Sequence, residues 1–149
     1  MKKFRFNYSL TVGALIALVI LISGAGVVLN VLSVIKYLET SVFTAVSYGL
    51  LTLLTAALFS ESVAIAIYGL YKVKGDYLYA YFGFVFTKTA LDDITEVKVF
   101  TKTNKLVLYL KNGKFTVVII SPENYSDFIA ELKKHNPEIF YSAEESEPA

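Results

Sequence analysis

Residues 77–86 read YLYAYFGFVF, ten positions without a charge, and the reading of this stretch decides the fold. Ten apolar residues cannot cross as a helix, because a bilayer core of roughly 30 Å takes about 20. A lone strand cannot cross either, since its backbone groups would go unpaired in lipid. The stretch therefore reads as a β-strand of a folded domain. Lys74-Gly75-Asp76 just before it is a tight-turn signal, and β-branched and aromatic residues alternate from Val63 to Val73. The strand is thus expected to pair back onto 63–73 across Gly75. Alternation puts Tyr77, Tyr79 and Tyr81 on one face and Leu78, Ala80, Phe82, Phe84 and Phe86 on the other. The second face is the natural core. The tyrosine face is left to pack under another element, lie against the membrane interface, or bind a partner. Gly83, alone inside the run, suggests a bulge or bend.

Upstream, the composition changes. Of 149 residues 55% are hydrophobic and the mean hydropathy is +0.55, with the apolar excess lying before Lys72. Ser9 to Ile35 carries no charge and is long enough to span a bilayer with some tilt. A cleaved signal peptide would have an apolar region of only about 7–15 residues, and this run continues past Gly26. Val42 to Phe59 is a second uncharged run. Spans are expected at about 10–34 and 42–60, so that residues 1–61 form a membrane hairpin. Lys2, Lys3 and Arg5 precede it and Lys72 and Lys74 follow it, which puts both termini in the cytoplasm of a multi-pass plasma-membrane protein. Small residues spaced by four, such as Gly13 with Ala17 and Ala45 with Gly49, would let the helices approach closely. Glu61 is expected at the interface, where the second span ends.

Downstream, Ile94 to Thr101 alternates, and Leu106–Leu110 and Phe115–Ile120 flank Asn112-Gly113, a strong hairpin signal. The period then switches to that of a helix over 122–135, with Ser121 as N-cap and Pro122 at the first helical position. Tyr125, Phe128, Ile129 and Leu132 form one apolar stripe. Pro137 stops the helix, and 140–149 reads as an acidic disordered tail. The expectation is an α+β chain with a membrane anchor. Residues 62–139 would form a bent antiparallel β-barrel or sheet of five or six strands, capped by the C-terminal helix.

This succession resembles a known family. It comprises a membrane hairpin, Tyr71-Lys72-Val73 before the Gly75-Asp76 turn, Leu91-Asp92-Asp93-Ile94 entering a strand, and a helix from Ile120-Ser121-Pro122 to Asn136-Pro137. It resembles the bacterial pleckstrin-homology-like (bPH) domains, in particular small membrane-anchored members. The resemblance implies a PH-like barrel that binds partners and is not an enzyme. In members that bind lipid headgroups the first hairpin loop is the cradle; here it is only Lys74-Gly75-Asp76, too short for that. General attraction of the domain's lysines, Lys72, Lys74 and Lys88 among them, to an anionic leaflet is the better expectation, at about 1 kcal/mol per residue near the surface.

The residues carry little catalytic machinery. No Cys and a single His, His135, argue against a thiol nucleophile, a His-dependent triad or a multi-His metal site. Asp92 and Asp93 are adjacent, so as strand neighbours they would point to opposite faces. No cofactor is implied, and a net charge of +1 calls for no nucleic acid. The expectation is a non-catalytic interaction module on the cytoplasmic face. It would sit in the lipid bilayer and bind a protein partner or itself through Tyr77, Tyr79 and Tyr81. Two alternatives stand beside it: immunity against a membrane-acting peptide bacteriocin, and weak binding of anionic lipid.

Overall fold

Both apolar runs become long helices in the computed structural model, which describes residues 2–145. Helix α1 spans Leu10–Tyr37 and α2 spans Val42–Tyr68. At 1.5 Å per residue they are about 42 and 40 Å long, the thickness of a bilayer with its headgroups. Both are apolar enough to cross, and nearly all of their surface is exposed, as suits a lipid solvent. Ser9 caps α1, its hydroxyl accepting from the Val12 N–H at 3.3 Å. Ser41 does the same for α2 through the Thr44 N–H at 3.4 Å. The two helices form a unit of their own, residues 9–68. They are in close contact at Gly24 and Gly26, opposite Phe59 and Thr55; a Cβ on Gly26 would lie 3.1 Å from the Thr55 methyl. Gly13 and Gly49, expected at the contact, face open space instead.

Helix α2 ends at Tyr68, not at Ser60, so the expected strand over 63–68 is helical. Val63 to Tyr68 is apolar throughout, and without a turn residue before Gly69 the preceding helix simply propagates. Glu61 accordingly lies within α2. It is about 29 Å along the helix axis from Val42.

The second unit combines residues 2–8 with 69–145. Sheet I has the order β1-β2-β3-β4, with β1 Lys3–Arg5, β2 Leu70–Lys74, β3 Tyr77–Phe82 and β4 Val85–Ala90. Sheet II has the order β7-β6-β5-β8, with β5 Ile94–Phe100, β6 Lys105–Leu110, β7 Phe115–Val118 and β8 Phe140–Glu144. A short 3-10 turn at Leu91–Asp93 links the sheets, and helix α3, Tyr125–His135, packs its stripe into the core between them. Asp92 and Asp93 therefore serve strand entry. Ser121 does not cap α3 with its side chain: a 3-10 turn at Pro122–Asn124 intervenes, and the Ser121 hydroxyl donates to Glu123 at 2.9 Å.

The stretch 77–86 is two strands, not one. Gly83, at φ +67, takes the first position of a two-residue loop, where a positive φ is needed, and the chain doubles back at Phe84. Phe86 thereby pairs with Tyr81 and joins the tyrosine face, while Phe84 sits in the loop, 69% exposed. Neither belongs to the Leu78–Ala80–Phe82 face, to which alternation along one unbroken strand assigned them.

Strand β1 was read from the sequence as a basic flank. It pairs antiparallel with β2, Phe4 opposite Tyr71, and Phe4 is buried with its ring edge-on to Phe128 at 5.0 Å. Phe6 packs on Tyr71 and Phe82 at 4.7 and 4.8 Å. The Asn7 N–H then donates to the Ile119 carbonyl at 2.9 Å, reaching across to the end of β7. A final correction concerns the tail. Phe140–Glu144 is not disordered but a strand, the one parallel partner in sheet II. The Thr101 N–H donates to the Glu144 carbonyl at 2.9 Å, and Lys98 bonds the Glu144 carboxylate at 2.8 Å. Residues 146–149 lie outside the described residues.

Phe4→Ala removes a ring from the middle of this core and is expected to cost about 3–5 kcal/mol. Phe84→Ala, in an exposed loop, should cost within about 0.5 kcal/mol. Denaturant unfolding of the detergent-solubilised chain, followed by tyrosine fluorescence, compares the two.

Candidate functional site

The outer face of sheet I is built by alternation along four paired strands. Three rows cross it. Lys3, Lys72, Tyr79 and Lys88 make one, and Arg5, Leu70, Tyr81 and Phe86 the next. Lys74, Tyr77 and Ala90 make the third. The side chains between them point inward: Phe4, Tyr71, Val73 and Leu78 are all buried. Period-2 geometry thus separates an apolar core face from a basic aromatic outer face.

On that face the rings touch in sequence. Tyr77 lies 6.3 Å from Tyr79, Tyr79 stacks on Tyr81 at 6.1 Å, and Tyr81 meets Phe86 at 5.7 Å. The Lys88 ammonium sits 5.2 Å from the Tyr77 ring centre, a cation–π arrangement that also spreads its charge over the face. Tyr77 is exposed and Tyr79 and Tyr81 are half-buried. Strands β1–β4 contain five cations and no carboxylate. None of those five cations forms a salt bridge among the described residues, whose ion pairs are Lys2–Asp127 and Lys98 with Glu96 and Glu144. The residues singled out from the sequence, Tyr77, Tyr79, Tyr81, Lys72, Lys74 and Lys88, are brought together here. Lys3, Arg5 and Phe86 were missed. The alternation of Lys3-Phe4-Arg5-Phe6 was the signal that could have found the first two.

Sheet II handles charge differently. Lys98 lies between Glu144 at 2.8 Å and Glu96 at 3.7 Å, and the Glu144 bond holds its ammonium above the ordinary lysine value. Between the inner faces a cavity of about 130 Å³ is lined by Tyr71, Leu78, Phe82, Thr87, Thr116 and Val117 among others. That is well below the 300–1,000 Å³ of ordinary ligand pockets. Burial raises the Tyr71 phenol above its usual value, so it stays a neutral donor. It donates to the Val117 carbonyl and accepts from the Ile119 N–H, both at 3.5 Å. The Asn136 side chain ends α3 by donating to the Leu91 carbonyl at 2.9 Å and accepting from the Glu138 N–H at 3.1 Å. Among the described residues no cluster of His, Cys, Asp and Glu could hold a metal ion.

The segment 70–136 matches the family model described as a bacterial PH domain. Residues 70–136 are a bacterial PH-like domain. No curated protein and no solved structure matches the chain. Bacterial PH domains are generally non-catalytic interaction modules. In this chain the PH-like domain is extended beyond the matched residues on both sides, by β1 ahead of the membrane hairpin and by β8 after α3.

Because the outer rings lie off the core, Tyr77→Ser with Tyr79→Ser should move the unfolding free energy by no more than about 1 kcal/mol. Tyr71→Phe alone should cost about 1–3 kcal/mol, since it leaves inward-facing backbone groups of the β7 segment unpaired. The same denaturant titration reads both.

Proposed function

We propose that the chain is a membrane-anchored, non-catalytic interaction module working at the cytoplasmic face, with the outer face of sheet I as its binding surface. One observation carries this reading: five cations and four touching aromatic rings share a sheet face that bears no carboxylate. Tyrosine supplies amphipathic contact area at low entropy cost, and an unneutralised set of cations selects an anionic partner. A second copy of the same face is disfavoured, because like charges would meet on contact. Tethering through the two helices confines the face to the membrane plane and raises its effective concentration toward anything else held there.

Topology supports the reading. Strand β1 precedes α1 and β2 follows α2, yet they pair in one sheet. Two crossings return the chain to the side it left, so the N-terminal strand and the domain share a compartment. The basic flanks of the hairpin support the cytoplasm as that side. Single cysteines replacing Lys3 and Asn112 should react with a membrane-impermeant maleimide only after the cell is permeabilised, and one replacing Glu39 should react in intact cells. Labelling of position 3 in intact cells would reverse the assignment.

The binding face is tested with a photo-crosslinking amino acid at Tyr79 of the full chain in cells, and another at Tyr37, the last residue of α1, as control. Adducts at position 79 should be lost on Lys72→Glu/Lys88→Glu while those at position 37 persist. Adducts unchanged by charge reversal would remove sheet I as the site.

A further inference from the structure

The geometry points to the occupant of this face: the anionic headgroup layer of the same bilayer that holds the hairpin. This rests on the reading of sheet I as the binding surface and names its partner.

Chain connectivity sets the reach. Only Gly69 separates α2 from Leu70, and four residues, Phe6 to Ser9, separate Arg5 from α1. At no more than about 3.6 Å per residue, Leu70 stays within about 7 Å of the end of α2. Helices of 28 and 27 residues match the bilayer with its headgroups, about 40–45 Å, so both chain exits lie at headgroup level. Arg5 and Leu70 are register partners, and their row continues through Tyr81 to Phe86. Three strand spacings of about 4.8 Å carry it across the sheet. The Arg5–Leu70 end of the row is therefore tethered near the lipid surface by two short links, and the rest of the row lies within about 15 Å of that end.

Chemistry favours lipid over an acidic protein as the occupant. Phosphates of an anionic leaflet are within reach at all times, whereas a soluble partner must arrive and compete with them. Lysines and arginines near such a surface are drawn to it additively, without a shaped pocket. None is needed here: the face is a sheet, and the Gly75-Asp76 loop is too short to cradle a headgroup. Tyr77, Tyr79, Tyr81 and Phe86 add the amphipathic rings that settle at membrane–water interfaces. The five cations have no competing carboxylate on their own strands.

The chain contains no cysteine, so Phe86→Cys accepts a polarity-sensitive fluorophore at one place only. The full chain is labelled there and reconstituted into vesicles of phosphatidylcholine alone or with phosphatidylglycerol. A control carries the label at Asn112→Cys. In the anionic vesicles the label at position 86 should shift to the blue and be quenched by headgroup-bearing quencher lipids, and the label at position 112 should not. Raising salt from about 0.15 to 1 M shortens the Debye length from about 8 to 3 Å and should reverse the shift. Lys72→Glu/Lys88→Glu should lower the ratio of docked to undocked domain at least roughly tenfold. Lys3→Gln/Arg5→Gln, with an expected loss of about tenfold or more, replaces that variant if it does not fold. A signal at position 86 that is the same in neutral and anionic vesicles overturns the proposal. If the Tyr79 adducts in cells then still depend on Lys72 and Lys88, the site stands and its occupant is an acidic protein. If that dependence is lost too, the reading of the face falls with it.

Discussion

Three residues, Lys3–Arg5, pair with Leu70–Lys72 across the entire membrane hairpin, and the organisation of the protein depends on that pairing. It seats Phe4 against Phe128 and Tyr71, so a side chain made before the first helix fills the core of a domain made after the second. Sheet I is complete only when both helices have been synthesised, because β1 precedes them and β2 follows. The same ladder puts Lys3 and Arg5 beside Lys72 and Leu70. One strand pair thus joins the two ends that flank the helices in a single sheet and completes its basic aromatic face.

Charge is divided between the two sheets. Sheet II neutralises its central lysine, Lys98, with Glu96 and Glu144, and the latter is available only because residues 140–144 form a strand there. Lys2 pairs with Asp127 of α3. Sheet I has no acidic residue in its strands, and its cations stand among aromatic rings. An uncompensated field on one face is a modest cost to the fold, since the charges are on the surface and screened within about 8 Å at physiological salt.

Much of this was legible along the chain. Long uncharged runs can only be membrane or core helices, and period-2 alternation at Tyr77, Tyr79 and Tyr81 placed those rings together. Asn112-Gly113 marked a hairpin, and Tyr125, Phe128, Ile129 and Leu132 marked the buried stripe of α3. What failed did so for identifiable reasons. Val63 to Tyr68 suits either a strand or a membrane helix, and the turn already formed ahead of it decided for helix. Gly83 reverses the chain, so Phe86 changes face, because a turn resets the alternation that a single strand would continue. Residues 140–144 are a short stretch with no turn signal after Pro137 to frame them, and they form a strand by pairing with the edge of β5.

The amino-acid sequence by itself determined the elements: two membrane helices, a set of alternating strands, an amphipathic helix near the C-terminus and the family whose model residues 70–136 match. These follow from local periodicity and turn chemistry, which act over a few residues. Only the tertiary structure decided that Lys3–Arg5 closes sheet I, that Phe86 sits with the tyrosines, and that Glu144 rather than solvent receives Lys98. Each of these is a contact between segments far apart in the chain. Strand pairing is made by backbone groups that every residue carries, so no local pattern names the partner. The partner is chosen by which edge remains open once the rest of the core has packed.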